Sequence, residues 1–287
     1  MNILDDLKMQ YRLGGIAMRV IYWNIACFII SLIFFYGFSN GLFSFPNWLA
    51  LSSDPQVFLF KPWTFLTYAF FHFGFMHLLF NMLVLNFASN LFLTFFTQKQ
   101  YLGLYILGAI FSGIVFALSF YVLGTAASIV GASAAIMAIL VAATTYQPLM
   151  NVRLFLFGNV KLWHITAVIL VLDLMQFRLD NMGGHISHLA GAFFGFVYIK
   201  LLQNGTDLSI VISKTLDFFA NLFRKSPTTP FKTVHKNYKK PAEKTSSRIV
   251  TKDKTQQQID EILDKISQSG YDCLTKEEKE FLFKAGK

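Results

Sequence analysis

The sequence predicts an all-α polytopic membrane protein, a bundle of six transmembrane helices with a small helical hairpin in its tail. Three observations support this fold class. Of the 287 residues, 54% are hydrophobic and only 14% are charged, whereas soluble domains have about 25% charged residues. The 33 Phe residues are far more than one soluble core would bury, but a membrane protein can leave them facing lipid. Long apolar runs also follow one another from residue 19 to residue 203.

Six apolar runs are the candidate spans. Each must be helical, because lipid offers no partner to a free backbone N–H or C=O group. The runs cover residues 19–38, 76–96, 101–123, 133–147, 162–177 and 185–203. Segment 208–223 is apolar too, but Lys214 and Asp217 interrupt it, and at about 24 Å it is short. We interpret this segment as an amphipathic helix on the membrane surface.

Composition divides the chain into five segments. They are an N-terminal cytoplasmic segment (1–18), the six-helix membrane domain (19–205), an amphipathic interfacial helix (206–223), a basic flexible linker (224–255) and a small helical hairpin (256–287). In the hairpin, Gly270 is a natural helix stop and Thr275 with Glu278 forms a capping box. Cys27 and Cys273 are far apart in the chain, so we expect neither a disulfide nor a metal site.

The linker is strongly basic. From Arg224 to Lys254 the chain has ten Lys or Arg and two acids. The segment is either a solvated spacer or lies on anionic lipid, where each basic residue contributes about 1 kcal/mol. Its basic residues are not interleaved with aromatic ones, so we expect no nucleic-acid partner.

The loops between the spans predict the orientation. With six spans both termini share one side of the membrane. That side carries the basic tail and Lys8, Arg12, Arg19, Lys99, Arg153, Lys161 and Lys200, whereas the other side carries Lys61 and Arg178. The positive-inside rule therefore places both termini in the cytoplasm. No transit peptide is visible, so we expect a bacterial plasma (inner) membrane. The apolar loop 39–63 is predicted to lie in the outer interface, with Trp48 and Trp63 as anchors.

Four polar residues inside the spans require an explanation, because such groups are costly in lipid. They are His77, Asn81, Ser133 and His188. Ser133 is followed by roughly 21 Å of helix in a hydrocarbon layer about 30 Å thick, so it should lie up to about 10 Å below the outer surface. Asn81 and His188 reach a similar depth by the same count. Three helices therefore bring polar groups to one level.

These residue types suit acyl transfer. Ser133 begins its helix, where free backbone N–H groups and the helix dipole would stabilise a developing oxyanion. His77 and Asn81 lie four residues apart on one helix face and can both donate to that oxyanion. His188 can accept the Ser133 proton and return it to a leaving amine. The sequence therefore nominates Ser133 and His188 as catalytic residues, with His77 and Asn81 as the oxyanion hole.

Small residues would bring the fourth and sixth spans together. His188, Gly191 and Gly195 follow one face of the sixth span, and Gly-x-x-x-Gly is a close-packing motif. The fourth span carries a matching stripe of Ala134, Ala138 and Ala142. Taken singly, each feature has an ordinary structural explanation, so the hypothesis rests on their conjunction. Asp173 in the fifth span has no basic partner nearby in sequence and stays unexplained.

Three motifs resemble those of the rhomboid family. His72-Phe-Gly-Phe-Met-His77-Leu-Leu-Phe-Asn81 is similar to its second-helix motif, and Gly131-Ala132-Ser133-Ala134 to its GxSG nucleophile motif. His188-Leu-Ala-Gly191-Ala-Phe-Phe-Gly195 is similar to its sixth-helix motif. The order and placement of the motifs agree over about residues 15–205.

The resemblance implies a six-helix bundle that opens to the outer aqueous side and cleaves transmembrane protein substrates in or beside their membrane helices. It implies a Ser133–His188 dyad without a third acid, and no metal or cofactor. His77, Asn81 and the Ser133 backbone N–H would form the oxyanion hole, supported by Gly131, Gly191 and Gly195.

Three departures from the family pattern are visible. Ala134 replaces the last Gly of GxSG, which a helix start tolerates. Met137 stands where an aromatic residue often packs on the histidine ring, and its thioether can fill that place. Thr64 follows Trp63 where the family often has Trp-Arg, which puts the internal bonding of the outer loop in question.

Two other functions compete with proteolysis. A non-catalytic rhomboid-like protein would bind transmembrane helices without cutting them, but such proteins usually lack the serine or the histidine. A small-solute transporter would show broken helices at the midplane or an inverted repeat, and the sequence shows neither.

Overall fold

The computed structural model describes residues 2–154, 158–176, 181–222 and 254–285. The chain divides into two compact units, Met1–Lys225 and Ser226–Lys287. Nearly all of the basic linker predicted at 224–255 lies outside the described residues.

The first unit begins with two helices, α1 (Ile3–Leu13) and α2 (Gly15–Phe34). Gly14 lies between the two helices, and Gly15, the first residue of α2, has a positive φ of 68°, a conformation that glycine adopts readily. Helix α2 is the first predicted span, but it starts and ends about four residues earlier than the apolar run at 19–38. The apolar run continues beyond the end of the helix into Tyr36 and Gly37, which form a strand. Apolar composition alone does not distinguish a helix from a strand.

The segment that follows α2 forms hydrogen bonds within itself. It contains strands β1 (Tyr36–Gly37), β2 (Leu42–Phe43) and β3 (Leu51–Ser52), helices α3 (Pro55–Phe58) and α4 (Thr64–Thr67), and a 3₁₀ turn at Tyr68–Phe70. The indole Nε1 of Trp63 donates to the carbonyl of Trp48 at 2.9 Å, and Thr64 Oγ1 donates to the carbonyl of Lys61 at 2.7 Å. Thr64 thus makes a local hydrogen bond where the family often has Arg.

The rest of the first unit carries the other predicted spans. Its elements are α5 (Phe75–Leu93), α6 (Gln98–Leu123), β4 (Ser128–Ile129), α7 (Ser133–Tyr146), β5 (Asn151–Leu154), β6 (Gly158–Lys161), α8 (Leu162–Gln176), α9 (Met182–Gln203) and α10 (Ser209–Leu222). Helices α2, α5, α6 and α9 are long and apolar enough to cross a membrane, and α7 and α8 are shorter apolar helices. These six helices form the predicted bundle.

Helix α7 is the centre of the bundle. It packs against α5, α6, α8 and α9, and every residue from Ala134 to Thr144 is buried. A Cβ on Gly191 would overlap the carbonyl oxygen of Ala134, and one on Gly195 would overlap that of Ala138. The backbones of α7 and α9 therefore touch along the two small-residue stripes.

The segment before α7 is hydrogen-bonded to the loop 39–63. Strands β3 and β4 pair antiparallel, with Leu51 opposite Ile129 and Ser52 opposite Ser128. Beside them, Ser53 N donates to the carbonyl of Ala127, and Ala127 N donates to Ser53 Oγ, both at 2.9 Å. This pairing holds the approach to Ser133.

Asp207 organises the junction between α9 and α10. Its carboxylate accepts hydrogen bonds from the Ser209 N–H at 2.9 Å, the Ser209 hydroxyl at 2.6 Å, the Tyr198 hydroxyl at 3.2 Å and the Gln100 amide at 3.2 Å. Burial alone would raise the pKa of Asp207, but the hydrogen bonds from Ser209, Gln100 and Tyr198 together lower this pKa below its usual value.

The second unit is a helical hairpin. Helix α11 (Lys254–Ser269) is followed by a turn at Tyr271–Cys273 and by α12 (Lys276–Ala285). Thr275 N donates to Glu278 Oε2 at 2.8 Å, and Glu278 N donates back to Thr275 Oγ1 at 3.3 Å. Lys265 Nζ lies 2.7 Å from Glu278 Oε1. Ile262 and Leu274 are buried within this unit.

Candidate active site

Ser133 is the first residue of α7, so the free N–H groups of the helix start lie beside its side chain. The residue before the helix, Ala132, is fully buried. The Gly131 N–H donates to the carbonyl of Tyr68 at 2.9 Å. The chain is therefore held on both sides of the turn that presents Ser133.

Gly131 is required at that turn for two reasons. Its φ of 143° is one that side-chain-bearing residues rarely adopt. A Cβ at this position would also lie 3.0 Å from Cε1 and 3.2 Å from Nε2 of His77. A side chain at residue 131 would therefore strain the backbone and require the His77 ring to shift.

His188 on α9 faces Ser133. Its Nε2 lies 2.6 Å from Ser133 Oγ, which is within hydrogen-bond distance. The backbone contact of α7 with Gly191, three residues further along α9, sets the spacing between the two helices. The structure therefore brings together the two residues that the sequence nominates as catalytic.

The other nitrogen of His188 contacts an acid. Nδ1 of His188 lies 2.7 Å from Oδ1 of Asp173 on α8, and Nδ1 of His185 lies 2.7 Å from the same oxygen. Sequence reasoning missed both contacts. The resemblance implied no third acid, but here Asp173 lies on the far side of the His188 ring from Ser133. The signal available in the sequence was the carboxylate itself, an isolated charge in an apolar span.

In the described part of the chain, one cluster of side chains could also hold a metal ion. It consists of Asp173, His185 and His188, whose ligand atoms all lie within 4.8 Å of one another. Ligands of a tetrahedral zinc ion, at about 2.0–2.1 Å from the metal, are roughly 3.3 Å apart. The two 2.7 Å contacts are shorter than that and have the length of hydrogen bonds. As arranged here, the cluster is a hydrogen-bonded network.

His77 and Asn81 border the same space as Ser133. Both lie on one face of α5 and line a cavity of about 440 Å³ together with Ser133 and His188. Asn81 Nδ2 donates to the carbonyl of His77 at 2.8 Å, which uses one of its two amide hydrogens. Nδ1 of His77 is buried without a hydrogen-bond partner among the described residues. The groups left to donate into the cavity are Nε2 of His77, which lies beside Gly131, and the second amide hydrogen of Asn81.

A second space meets the cavity at Ser133. It is a groove of about 300 Å³ between α5 and α8 that is also bordered by Asn81, Asp173 and His188. Its other walls are mostly apolar and include Phe80, Val84, Ile136, Met137, Ile169 and Leu172. Met137 thus shares a wall with His188. Ser133 stands where a polar cavity and an apolar groove join.

The Rhomboid domain family matches residues 59–204, half of the chain. The chain belongs to the rhomboid family. All three motifs of this rhomboid lie inside the matched range, as does Asp173, and the predicted family and all-α polytopic fold are confirmed. The protein is accordingly an integral membrane protein.

Two further comparisons concern the rest of this rhomboid. Residues 250–284 match a second family, described as a family of unknown function (DUF6576), and this range contains both helices of the hairpin from Lys254 to the last residues of α12. No curated protein matches the chain. The rhomboid family includes intramembrane proteases and inactive relatives. The choice between proteolysis and a non-catalytic role therefore rests on the site.

Proposed function

We propose that this rhomboid is an intramembrane serine endopeptidase with Ser133 as nucleophile and His188 as general base. The observation that carries the proposal is the 2.6 Å separation between Ser133 Oγ and His188 Nε2, at a helix start that borders a polar cavity. A protein that only binds helices has no need for this pair or for free donors beside it.

The first half of the reaction forms an acyl-enzyme. Nε2 of His188 accepts the Ser133 hydroxyl proton while Oγ attacks the scissile carbonyl carbon. The carbonyl oxygen becomes an oxyanion, which accepts hydrogen bonds from the Ser133 N–H, His77 and Asn81. When this intermediate collapses, the C–N bond breaks and His188 protonates the leaving amine. The new amino terminus then departs.

Hydrolysis regenerates the serine. A water molecule in the cavity gives a proton to His188 and attacks the acyl carbon, and the same donors stabilise the second oxyanion. The Oγ–C bond then breaks, and His188 returns its proton to Ser133. Side chains and water supply every group in these steps, so the proposed reaction requires no metal and no cofactor.

The proposed substrates are transmembrane proteins. The groove between α5 and α8 is mostly apolar and is bordered by Ser133. Several side chains of α8 are exposed as they would be to lipid, among them Val168, Val171 and Leu174. A substrate segment leaving the bilayer could therefore reach Ser133 without crossing a polar surface.

We further propose that both termini lie in the cytoplasm of a bacterial cell and that the cavity opens to the outer side of its plasma membrane, as the loop charges indicate. Helix α10 exposes Ile210, Val211, Phe218 and Phe219, which supports an interfacial position for it. Binding of the basic linker to anionic lipid concerns residues outside the described ranges and stays a prediction.

The test is cleavage of a panel of tagged single-span substrates in a host without rhomboids of its own. Wild type is compared with Ser133→Ala and His188→Ala at equal expression, and Ser133 is probed with a fluorophosphonate. We expect cleavage and labelling by wild type and loss of cleavage in both variants. Cleavage that survives Ser133→Ala would contradict the nucleophile assignment. A wild type that neither cleaves nor labels would favour the helix-binding alternative.

A further inference from the structure

We propose that Asp173 is a positioning residue for His188, so that the active site works as a Ser133–His188–Asp173 chain of hydrogen bonds. The inference rests on the proposed function and deepens it. Asp173 lies in α8, outside the three motifs that identify the family. Its assignment comes from geometry alone.

The location of Asp173 requires an explanation. A carboxylate in an apolar membrane helix is costly, and such groups are usually paired and functional. The Asp173 side chain is only 8% exposed. The titratable groups that contact it in the described part of the chain are His185 and His188, both on α9. Asp173 therefore pairs with α9, the helix that carries His188.

The contact determines which nitrogen of His188 carries the proton. A carboxylate oxygen accepts hydrogen bonds, so at 2.7 Å from Oδ1 of Asp173 the Nδ1 of His188 is the donor. A neutral imidazole with its proton on Nδ1 has its lone pair on Nε2. Nε2 is the atom 2.6 Å from Ser133 Oγ. Asp173 thus selects the tautomer in which His188 can accept the serine proton.

The same contact stabilises the charged form of His188. During attack by Ser133 the imidazole of His188 becomes an imidazolium. The Asp173 carboxylate then lies against the new charge, and a charge-assisted hydrogen bond is stronger than a neutral one. This effect arises in the transition state and its neighbouring intermediate, so it should act on kcat more than on substrate binding.

His185 fixes the position of the Asp173 carboxylate. His185 and His188 are three residues apart on one face of α9, and their Nδ1 atoms converge on the same oxygen. Two donors from one rigid helix therefore fix Oδ1. The other carboxylate oxygen, Oδ2, has no hydrogen-bond partner among the described residues, and Asp173 borders the groove.

The experiment compares full-length wild type with Asp173→Asn and Asp173→Ala in liposomes, using a single-span substrate that wild type cleaves. The measurements are kcat, KM, the fluorophosphonate labelling rate and the unfolding temperature. Asn keeps the shape of Asp but removes the charge, and its amide N–H₂ can impose the wrong tautomer. We expect kcat to fall about 10²- to 10³-fold, within the range that general-base catalysis contributes, with KM changed by less than about threefold.

Formate gives a second readout on Asp173→Ala. The space left by the carboxylate borders the groove, so added formate can occupy it and accept from His188. We expect formate to restore part of kcat in Asp173→Ala but not in Ser133→Ala. A role confined to folding would show no such rescue.

Asp207→Asn is the matched control, because Asp207 is another hydrogen-bonded carboxylate of the same unit but lies at the α9–α10 junction. It should keep kcat and lower only stability. His185→Ala should lower kcat less than Asp173→Asn, and the double variant should match Asp173→Asn.

Retention of kcat within about twofold in a folded Asp173→Asn, with Ser133→Ala inactive, would overturn the inference and leave the proposed function intact. A fall in kcat that only follows the unfolded fraction, without formate rescue, would also overturn it. Activity that persists in Ser133→Ala would instead contradict the proposed function itself.

Discussion

Two residues that line the cavity, His77 and Asn81, have polar groups that are not fully hydrogen-bonded within the described residues. Nδ1 of His77 has no partner among the described residues, and Asn81 uses one amide hydrogen on the carbonyl of His77. Burying a polar group without a partner costs free energy. In the proposed reaction, Nε2 of His77, which lies beside Gly131, and the second amide hydrogen of Asn81 would stabilise the charge that develops in the transition state.

Replacing either oxyanion donor should therefore slow the chemical step. For His77→Ala and for Asn81→Ala we expect kcat to fall by about 10²–10³, the effect of removing one oxyanion-hole donor, with little change in KM. Steady-state cleavage in liposomes measures both constants. Asn90→Ala is the control, since Asn90 is an exposed amide on the same helix. A raised KM with kcat unchanged would indicate a role in substrate binding instead.

At the scale of elements, the contact between α7 and α9 sets the distance between Ser133 and His188. Gly195→Ala would push a methyl group into the carbonyl of Ala138, and overpacking of this kind typically costs about 1–3 kcal/mol. We expect a lower unfolding temperature and slower fluorophosphonate labelling of the folded protein. Phe193→Leu is the control, because Phe193 is an exposed side chain of the same helix. Unchanged labelling in Gly195→Ala would show that the helix spacing is not critical.

The α9–α10 junction should respond to acid in a defined direction. Burial raises the pKa of Asp207, but its hydrogen bonds lower the pKa by more, so the pKa lies below its usual 3.8. A lowered pKa stabilises the fold above the usual Asp range, and this contribution is lost as the pH falls through the lowered value. At neutral pH, Asp207→Asn should lower the unfolding temperature by about 2–4 °C per kcal/mol lost.

Thermal unfolding of wild type and Asp207→Asn from pH 7 to pH 3 tests this. The difference in unfolding temperature between the two proteins should stay constant as the pH falls to the usual Asp range and should then shrink. A difference that grows on acidification would contradict the direction of the shift.

At the scale of the whole molecule, the sequence was sufficient for the six helices and for the convergence of Ser133, His188, His77 and Asn81. Apolar runs and helix lengths carry that information. The Asp173–His188 contact was not predictable, because it depends on how α8 is rotated about its own axis. The pairing of β3 with β4 was also hidden, since two-residue strands leave no periodic pattern.

The proposed orientation can be tested on the complete chain. Both termini should be cytoplasmic, because the basic residues collect on their side of the bundle. A reporter that is active only in the cytoplasm should therefore work when fused to either end. A reporter that is active only outside the cytoplasm should work when it is inserted in the loop 39–63. The reverse pattern would place the cavity on the cytoplasmic side.

The chain order of the site has a consequence for biosynthesis. Ser133, Asp173 and His188 lie on the fourth, fifth and sixth apolar helices, and α9 reaches its place by packing against α6 and α7. During synthesis the proposed nucleophile, Ser133, therefore enters the membrane before the proposed base, His188. A chain that ended before residue 181 would contain the first five apolar helices with His77 and Ser133, but it would lack His188. Proteolytic capacity would then appear only at the last step of membrane insertion, when the bundle around it is already built.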